Sequence, residues 1–436
     1  MRLSITFLAI LLPLCMFGQF KNVKVDEGAS GNPCEPSITI NKKNPLNIVV
    51  AASPDNVYYT VDGGDTWQMQ KFTSSAGVSG DAVIVSDDKG NFFSFHTAGT
   101  SAAQNQIQNA DQILCHISKD GGKTWEEGVS IGLSAGKTQS KPWATADSKG
   151  NIWLTWTQYD SYKSDDENCL TTVLLSSTSN GKKWSKPLQI SQTPGNCKDD
   201  DDSAVGATPA IGVDGKAFVA WANQSKIFLD RSFNGGGLWL TNDIAVEKQP
   251  GGWNMKVPGL DRCNGMPQLM IDQSKTIYQG SLYIVWADQR NGEANTDVWF
   301  MRSTNFGDNW STPVKIGEDK NKTHQFMPGM TIDPATGFLY IVYYDRDEYE
   351  DNQTDVCLAY STDGGITFKS KKISDSPFTP DEKTAFGDYI NISAYKGMIT
   401  PVWTRMDEGK TSIWTSIIKQ SDLIPEQQAS GKKRKK

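Results

Sequence analysis

The chain has 436 residues, and its 43 lysines and arginines are outnumbered by 50 aspartates and glutamates. The resulting net charge of -7 excludes the basic face that nucleic-acid binding requires. A hydrophobic share of 37%, with 14 tryptophans and 39 glycines, suits two-faced sheets in an all-β protein, and no apolar run is long enough to form a transmembrane segment.

Met1-Arg2 and the apolar run Leu3 to Phe17 form the pattern of a secretory signal, with cleavage expected after Gln19. Residues 1–19 are therefore read as a leader, and the protein as secreted, periplasmic or held at the cell surface. A bulky Leu14 before Cys15 argues against lipidation there. The remaining six cysteines permit bridges in such a compartment, with Cys169, Cys197 and Cys263 in loops as the best candidates. No Cys-x-x-Cys or histidine-rich spacing points to zinc.

Residues 20–420 are expected to form a single domain. Lys21 to Val25 is a strand candidate with no evident partner nearby. From there one phrase repeats six times: Thr60 to Trp67, Ser118 to Trp125, Ser177 to Trp184, Ser232 to Trp239, Ser303 to Trp310 and Ser361 to Phe368. Its form is Ser/Thr-x-Asp-x-Gly-x-Thr-Trp, and each copy follows an alternating apolar strand such as Val57 to Thr60. Asp followed by Gly reverses the chain, because Asp bonds the backbone ahead and Gly tolerates positive φ. Two more strands precede each copy, as in Pro142 to Ala146 with Ile152 to Trp156, and one follows. Four strands per copy make a β-propeller blade.

After the sixth copy, Asp388 to Ser393, Ile399 to Thr404 and Thr411 to Ile418 supply three strands without a fourth. Lys21 to Val25 would complete them and remove an exposed sheet edge. The expectation is thus an all-β propeller of seven blades, with six the alternative. Residues 421–436, which end Lys432-Lys433-Arg434-Lys435-Lys436, are read as a disordered basic tail.

The repeated phrase resembles the Asp-box, or bacterial neuraminidase repeat, of the sialidase superfamily. The resemblance implies a propeller with the boxes on its outer rim, away from the active face. It also implies three arginines for a substrate carboxylate, a tyrosine nucleophile paired with glutamate, and an aspartate acid/base. The family's Phe/Tyr-Arg-Ile-Pro motif is absent, and apart from Arg2 no arginine precedes Arg231. Tyr344 or Tyr389 would have to serve as nucleophile, and Arg262, Arg290, Arg346 and Arg405 as the cluster.

The inner strands begin alike. Pro36, Pro142, Pro209, Pro267 and Pro328 mark five starts, and Gly80-Asp81 and Gly387-Asp388 replace proline in the other two. With Glu35 ahead of Pro36, seven blades put Glu35, Asp81 and Asp388 on three neighbouring blades at one side of the channel mouth. Three converging carboxylates suit either Ca²⁺ or an acid/base pair; otherwise each caps its own loop. These three and Arg405 are the catalytic candidates.

Second-strand ends on the same face nominate substrate-binding residues: Asp288 and Arg290 after Trp286, Asp345 and Arg346 after Tyr344, His96 after Phe95, and also Tyr389. Aromatics beside Asp and Arg suit a sugar platform; the alternative is that they pack between blades. The acidic loops Asp165-Asp166-Glu167, Asp199 to Asp202 and Asp345 to Asp351 suit calcium or plain solvation, without EF-hand spacing. Three functions stay open: a glycan-active hydrolase or lyase of sialidase-like build, a non-catalytic propeller that binds glycan or protein, and an exo-α-sialidase with divergent arginines.

Overall fold

The computed structural model describes residues 20–26, 31–99, 110–318 and 320–424. The expected leader, residues 1–19, and the part of the expected tail from residue 425 lie outside the described residues. Seven antiparallel sheets form the blades of a propeller, five of them four-stranded and two with a short fifth strand. Blade 1 runs Cys34–Ile40, Ile48–Ser53, Asn56–Thr60 and Gln68–Lys71 from the axis outward. The inner strands of blades 2 to 7 are Gly80–Ser86, Thr138–Ala146, Val205–Ile211, Gln268–Ile271, Gln325–Ile332 and Asn391–Tyr395.

Blade 7 takes its outermost strand from the other end of the chain. Asn22–Lys24 pairs antiparallel with Lys410–Ser416, Val23 opposite Thr415. The expected closure by Lys21 to Val25 is present, shortened to three paired residues, and it covers the edge that would otherwise stay open. Asn22 also ties blade 6 to blade 7, donating from Nδ2 to Ile373 O at 2.8 Å and accepting from Asp375 N at 2.9 Å. At the far end, helix Gln420–Leu423 carries the folded region past the expected boundary at residue 420. Leu423 is buried, and its carbonyl accepts the Tyr360 hydroxyl at 2.9 Å.

The repeated phrase folds as its chemistry dictates. In the second copy Asp120 accepts from Ser118 Oγ at 2.9 Å, Thr124 N at 2.9 Å and Thr124 Oγ1 at 2.6 Å. Asp62 and Asp363 do the same in the first and last copies, whereas Asn180, Asn234 and Asn305 stand in for Asp in the weaker ones. Gly122 holds φ of +90°, and a Cβ there would meet Val49 Cγ2 at 2.8 Å, so the box packs on the preceding blade only as glycine. These bonds are local and exposed. Asp120→Ala is therefore expected to cost about 1 kcal/mol in chemical denaturation, in the range of a lost cap. A loss of several kcal/mol would mean the boxes hold blades together rather than turns.

Wedges of apolar side chains between blades form the core. Trp156, Trp221, Trp286 and Trp403, at matching second-strand positions, are all buried, as is Tyr344. This corrects the sugar-platform expectation: rings sealed between sheets present no face to a ligand, and they serve the packing that favours large aromatics.

Candidate functional site

The site is built from a bulge repeated around the axis. In blades 1, 2, 3, 4 and 6 the inner strand slips register at its start, and at that slip Glu35, Asp81, Lys141, Gly206 and Met327 have positive φ. Bulges re-aim side chains, and here they turn them toward the channel mouth. Glu35 (φ 52°) and Lys141 (φ 51°) each precede a proline, a position that normally favours extended backbone. Left-handed backbone in such residues costs roughly 1–3 kcal/mol apiece, strain of the kind that gathers at functional sites.

The bulges of blades 1, 2 and 3 bring Glu35 and Asp81 to the Lys141 ammonium, and Asp388, ahead of the inner strand of blade 7, joins them. Lys141 Nζ lies 2.6 Å from Asp388 Oδ2, 2.8 Å from Asp81 Oδ1 and 3.4 Å from Glu35 Oε1. All four side chains are largely buried, with Lys141 retaining 10% exposure and Glu35 12%. Ser53 Oγ donates to Glu35 Oε2 at 2.8 Å, and Asp388 N to Glu35 Oε1 at 3.3 Å. Asp81 Oδ2 accepts from Lys141 N at 3.1 Å.

A second layer crosses the mouth. The connection from blade 4 to blade 5 forms a small hairpin, Asn254–Met255 with Cys263–Asn264, and Arg262 on it pairs through Nε with Asp388 Oδ1 at 3.3 Å. Its other nitrogens reach Asp199 at 2.9 and 3.3 Å, and its plane lies over the Trp253 ring. Asp199 also accepts from Tyr159 at 3.0 Å and Tyr162 at 2.8 Å, and the nearby Cys169–Cys197 disulfide joins the segments that carry them. Asn264 Nδ2 donates to the Asp388 carbonyl.

The shared environment drives these groups apart. Burial pushes the Glu35 carboxyl up; Lys141 opposes this, while Asp81 and Asp388 add to it. Burial works against the charge on Lys141, but Asp388, Asp81 and Glu35 outweigh it and hold the ammonium well above its usual range. Burial would likewise raise Asp388, yet Arg262 and Lys141 prevail and keep it below the usual carboxylate range. The Tyr389 hydroxyl, pushed up by burial and by Glu35 and Asp81, donates to Ala82 O at 2.8 Å.

Below the cluster, Lys141, Trp143, Asn264, Gln268, Asp388 and Tyr389 border a void of about 30 Å³. A larger cavity of about 190 Å³ follows among the seven inner strands. The boxes lie at the opposite end: Asn47, in the turn after the first inner strand, donates to Gly121 O of the second box at 2.9 Å.

The second-strand candidates do not join this cluster, because each has partners of its own. Arg405 bonds Asp407 at 2.7 Å and Ser376 O at 3.0 Å, outside the cluster. Arg346, buried and depressed to about 10 by that burial, donates to Thr354 Oγ1 at 3.0 Å and to Pro258 O at 2.8 Å, so it anchors the crossing segment rather than a ligand. Arg290 stacks on Trp299 and pairs with Asp288, which also accepts from Trp286 Nε1 at 2.9 Å. His96 is sealed against His116 with ring nitrogens 2.9 Å apart, and burial, helped by that neighbour, depresses it to about 3. Asp345, raised to about 6 by burial, accepts from Asp347 N at 2.8 Å and borders an outer hollow with Cys357.

Lys141 and the Tyr159–Tyr162 pair were not among the expected residues, while Arg262 and Asp199 were expected only in other roles, in an arginine cluster and in an acidic loop. Lys141-Pro142 repeats the phase of Glu35-Pro36, a signal that a search for acids alone passes over. Among the described residues no group of three or more His, Cys, Asp or Glu has the geometry to hold a metal, and Lys141 Nζ fills the point where the three carboxylates meet. Cys34, Cys115, Cys263 and Cys357 are free thiols, so Cys263 does not pair as expected.

Residues 116–127 match the family model described as the BNR/Asp-box repeat. No curated protein matches the chain. Among solved structures, a protein of unknown function from Dyadobacter fermentans is similar at 12% identity and TM-score 0.50, over 91% of this chain and 97% of that one. A polysaccharide lyase, an ulvan lyase, is similar at 12% identity and TM-score 0.53, over 92% and 96%. An α-L-arabinofuranosidase from Fusarium graminearum, bound to an iminosugar inhibitor, is similar at 12% identity and TM-score 0.50, over 93% and 99%. At such identity the likeness is one of fold.

Proposed function

We propose, from the premise that this chain is a seven-bladed Asp-box β-propeller, that it is a glycan-active enzyme, a glycoside hydrolase working at the channel mouth. Glu35 is the proton donor and Asp388 the ionised carboxylate. One observation carries this reading: Glu35 and Asp388 meet one ammonium in a single buried cluster, at 3.4 and 2.6 Å, where burial favours a protonated Glu35 and Arg262 with Lys141 favour an ionised Asp388. Paired carboxyls driven apart divide acid and base roles between them.

Both carboxyls touch the same ammonium, at 3.4 and 2.6 Å, so those two oxygens are separated by no more than the sum of these distances. That is short of the roughly 6.5–9.5 Å of inverting glycosidases and suits retention. Glu35 then protonates the glycosidic oxygen as the bond to the leaving sugar breaks, while Asp388 bonds to the anomeric carbon. The Glu35 carboxylate takes a proton from water, whose oxygen displaces Asp388 and releases the sugar with its configuration kept. Two similar folds titled as glycan-acting enzymes support the substrate class. The leader and the Cys169–Cys197 bridge support an exported protein.

The test is release of reducing ends from a broad set of glycosides and polysaccharides, with proton NMR of the first anomer formed. Retention is expected; an inverted first product would defeat the assignment of Asp388. Lys141 touching all three carboxylates favours a second reading, a propeller that binds glycan without cleaving it. Binding without any release of reducing ends would select that one.

A further inference from the structure

We infer that the mouth accepts an uncharged sugar and turns acid sugars away, an inference that rests on the proposed glycan site. A sugar carboxylate or sulfate needs a cation that resident acids have not already neutralised, and the guanidinium fork is the strongest such group. The cations that reach the cluster are Lys141 and Arg262, and resident carboxylates already face both. The Lys141 ammonium faces Glu35, Asp81 and Asp388. Arg262 sets Nε 3.3 Å from Asp388 Oδ1 and gives one N–H from each terminal nitrogen to Asp199, with its guanidinium carbon 5.1 Å from the Trp253 ring centroid.

Four carboxyl groups therefore surround two cations, three of them besides the proton donor Glu35, and more acid flanks them. Asp201 accepts from Asn254 N at 2.8 Å and Asp261 from Phe386 N at 3.2 Å, at the two attachments of the crossing segment. An anionic sugar would have to displace a resident carboxylate while entering a negative field. An uncharged sugar pays no such penalty, since its hydroxyls donate to carboxylate oxygens, which only accept. Arg290, Arg346 and Arg405 offer no relief, each being bound elsewhere.

Asp199 sets this preference. It neutralises the outer side of Arg262 and is itself held by Tyr159 and Tyr162. Asp199→Asn keeps the shape, removes one negative charge and loosens the hold on the guanidinium. The variant should gain affinity for acid sugars by about tenfold, the effect of one modest charge-assisted contact.

The experiment is a glycan array of neutral and acidic members, probed with the full chain and with Asp199→Asn, then calorimetry on the best neutral and acidic oligosaccharides at low and high salt. Expected are neutral binders whose affinity changes little with salt, weak acidic binding by the wild type, and a gain on acidic members in the variant. Acidic glycans bound more tightly than neutral ones by the wild type, and weakened by salt, would overturn the inference while leaving the glycan reading intact. Silence from every glycan would defeat both. Should Asp199→Asn not fold, the wild-type salt dependence decides alone, because attraction to a free cation is screened and hydroxyl contacts are not.

Discussion

Replacing Lys141 by methionine is expected to destabilise the propeller by about 3–5 kcal/mol, the cost of removing one partner from a buried ionic cluster. Lys141 Nζ joins Glu35, Asp81 and Asp388, which come from blades 1 and 2 and from the lead-in to blade 7. Without it, Asp388 keeps Arg262, whereas Glu35 and Asp81 face each other with no cation between them. The pH dependence gives the signature. In the wild type the Lys141 pKa is raised, so its contribution is fully present below the ordinary lysine value of about 10.4 and is lost as pH rises through the folded value. In the variant the stranded carboxyls bind protons more readily folded than unfolded, so stability rises as pH falls. The gap between the proteins should be widest near neutrality and shrink toward roughly pH 4, where carboxylates protonate. Melting curves across pH measure it. A loss below about 1 kcal/mol at neutral pH would mean that water already shields the cluster.

Glu35→Gln is expected to reduce turnover by about 10²–10⁴-fold, the usual worth of a general acid, with little change in melting temperature. The amide keeps the shape and can still accept from Ser53, but it cannot give a proton to a leaving group. The pH profile is the sharper readout. Turnover needs Glu35 protonated, so wild-type activity should fall as pH rises through the raised Glu35 pKa. It also needs Asp388 ionised, so it should fall at the acid end only below the usual carboxylate range, where Arg262 and Lys141 hold Asp388. The variant's residual activity should lack the alkaline limb. A variant that retains that limb and most of its turnover would remove Glu35 from the chemistry.

Much of the fold was legible because its determinants are local and repeated. Six boxes, each a self-contained turn, counted six blades, and the unboxed trio with Lys21 to Val25 supplied the seventh. Glu35, Asp81 and Asp388 were legible through phase: each opens an inner strand, and a propeller brings inner-strand openings to one ring. Lys141 had the same phase and was passed over because it is not an acid. Arg262 and Asp199 had no phase to follow. They lie in blade connections of irregular length, and their meeting across 63 residues depends on how the crossing segment folds over the mouth. Arg405, Arg346 and Arg290 fall outside the cluster for the opposite reason. Their place at second-strand ends was regular, but the partner each side chain reaches lies on a neighbouring loop or ring that the repeat does not encode.

The most direct test of the two-carboxyl account is covalent capture. The protein would be incubated with a panel of neutral 2-fluoro glycosyl donors, which slow the second step, and the adduct located by peptide mass spectrometry. The account predicts a single sugar ester on Asp388, accumulating in the wild type and absent from Asp388→Asn. An adduct on Tyr389, Tyr159 or any other residue, or none from a sugar the protein demonstrably hydrolyses, would contradict it.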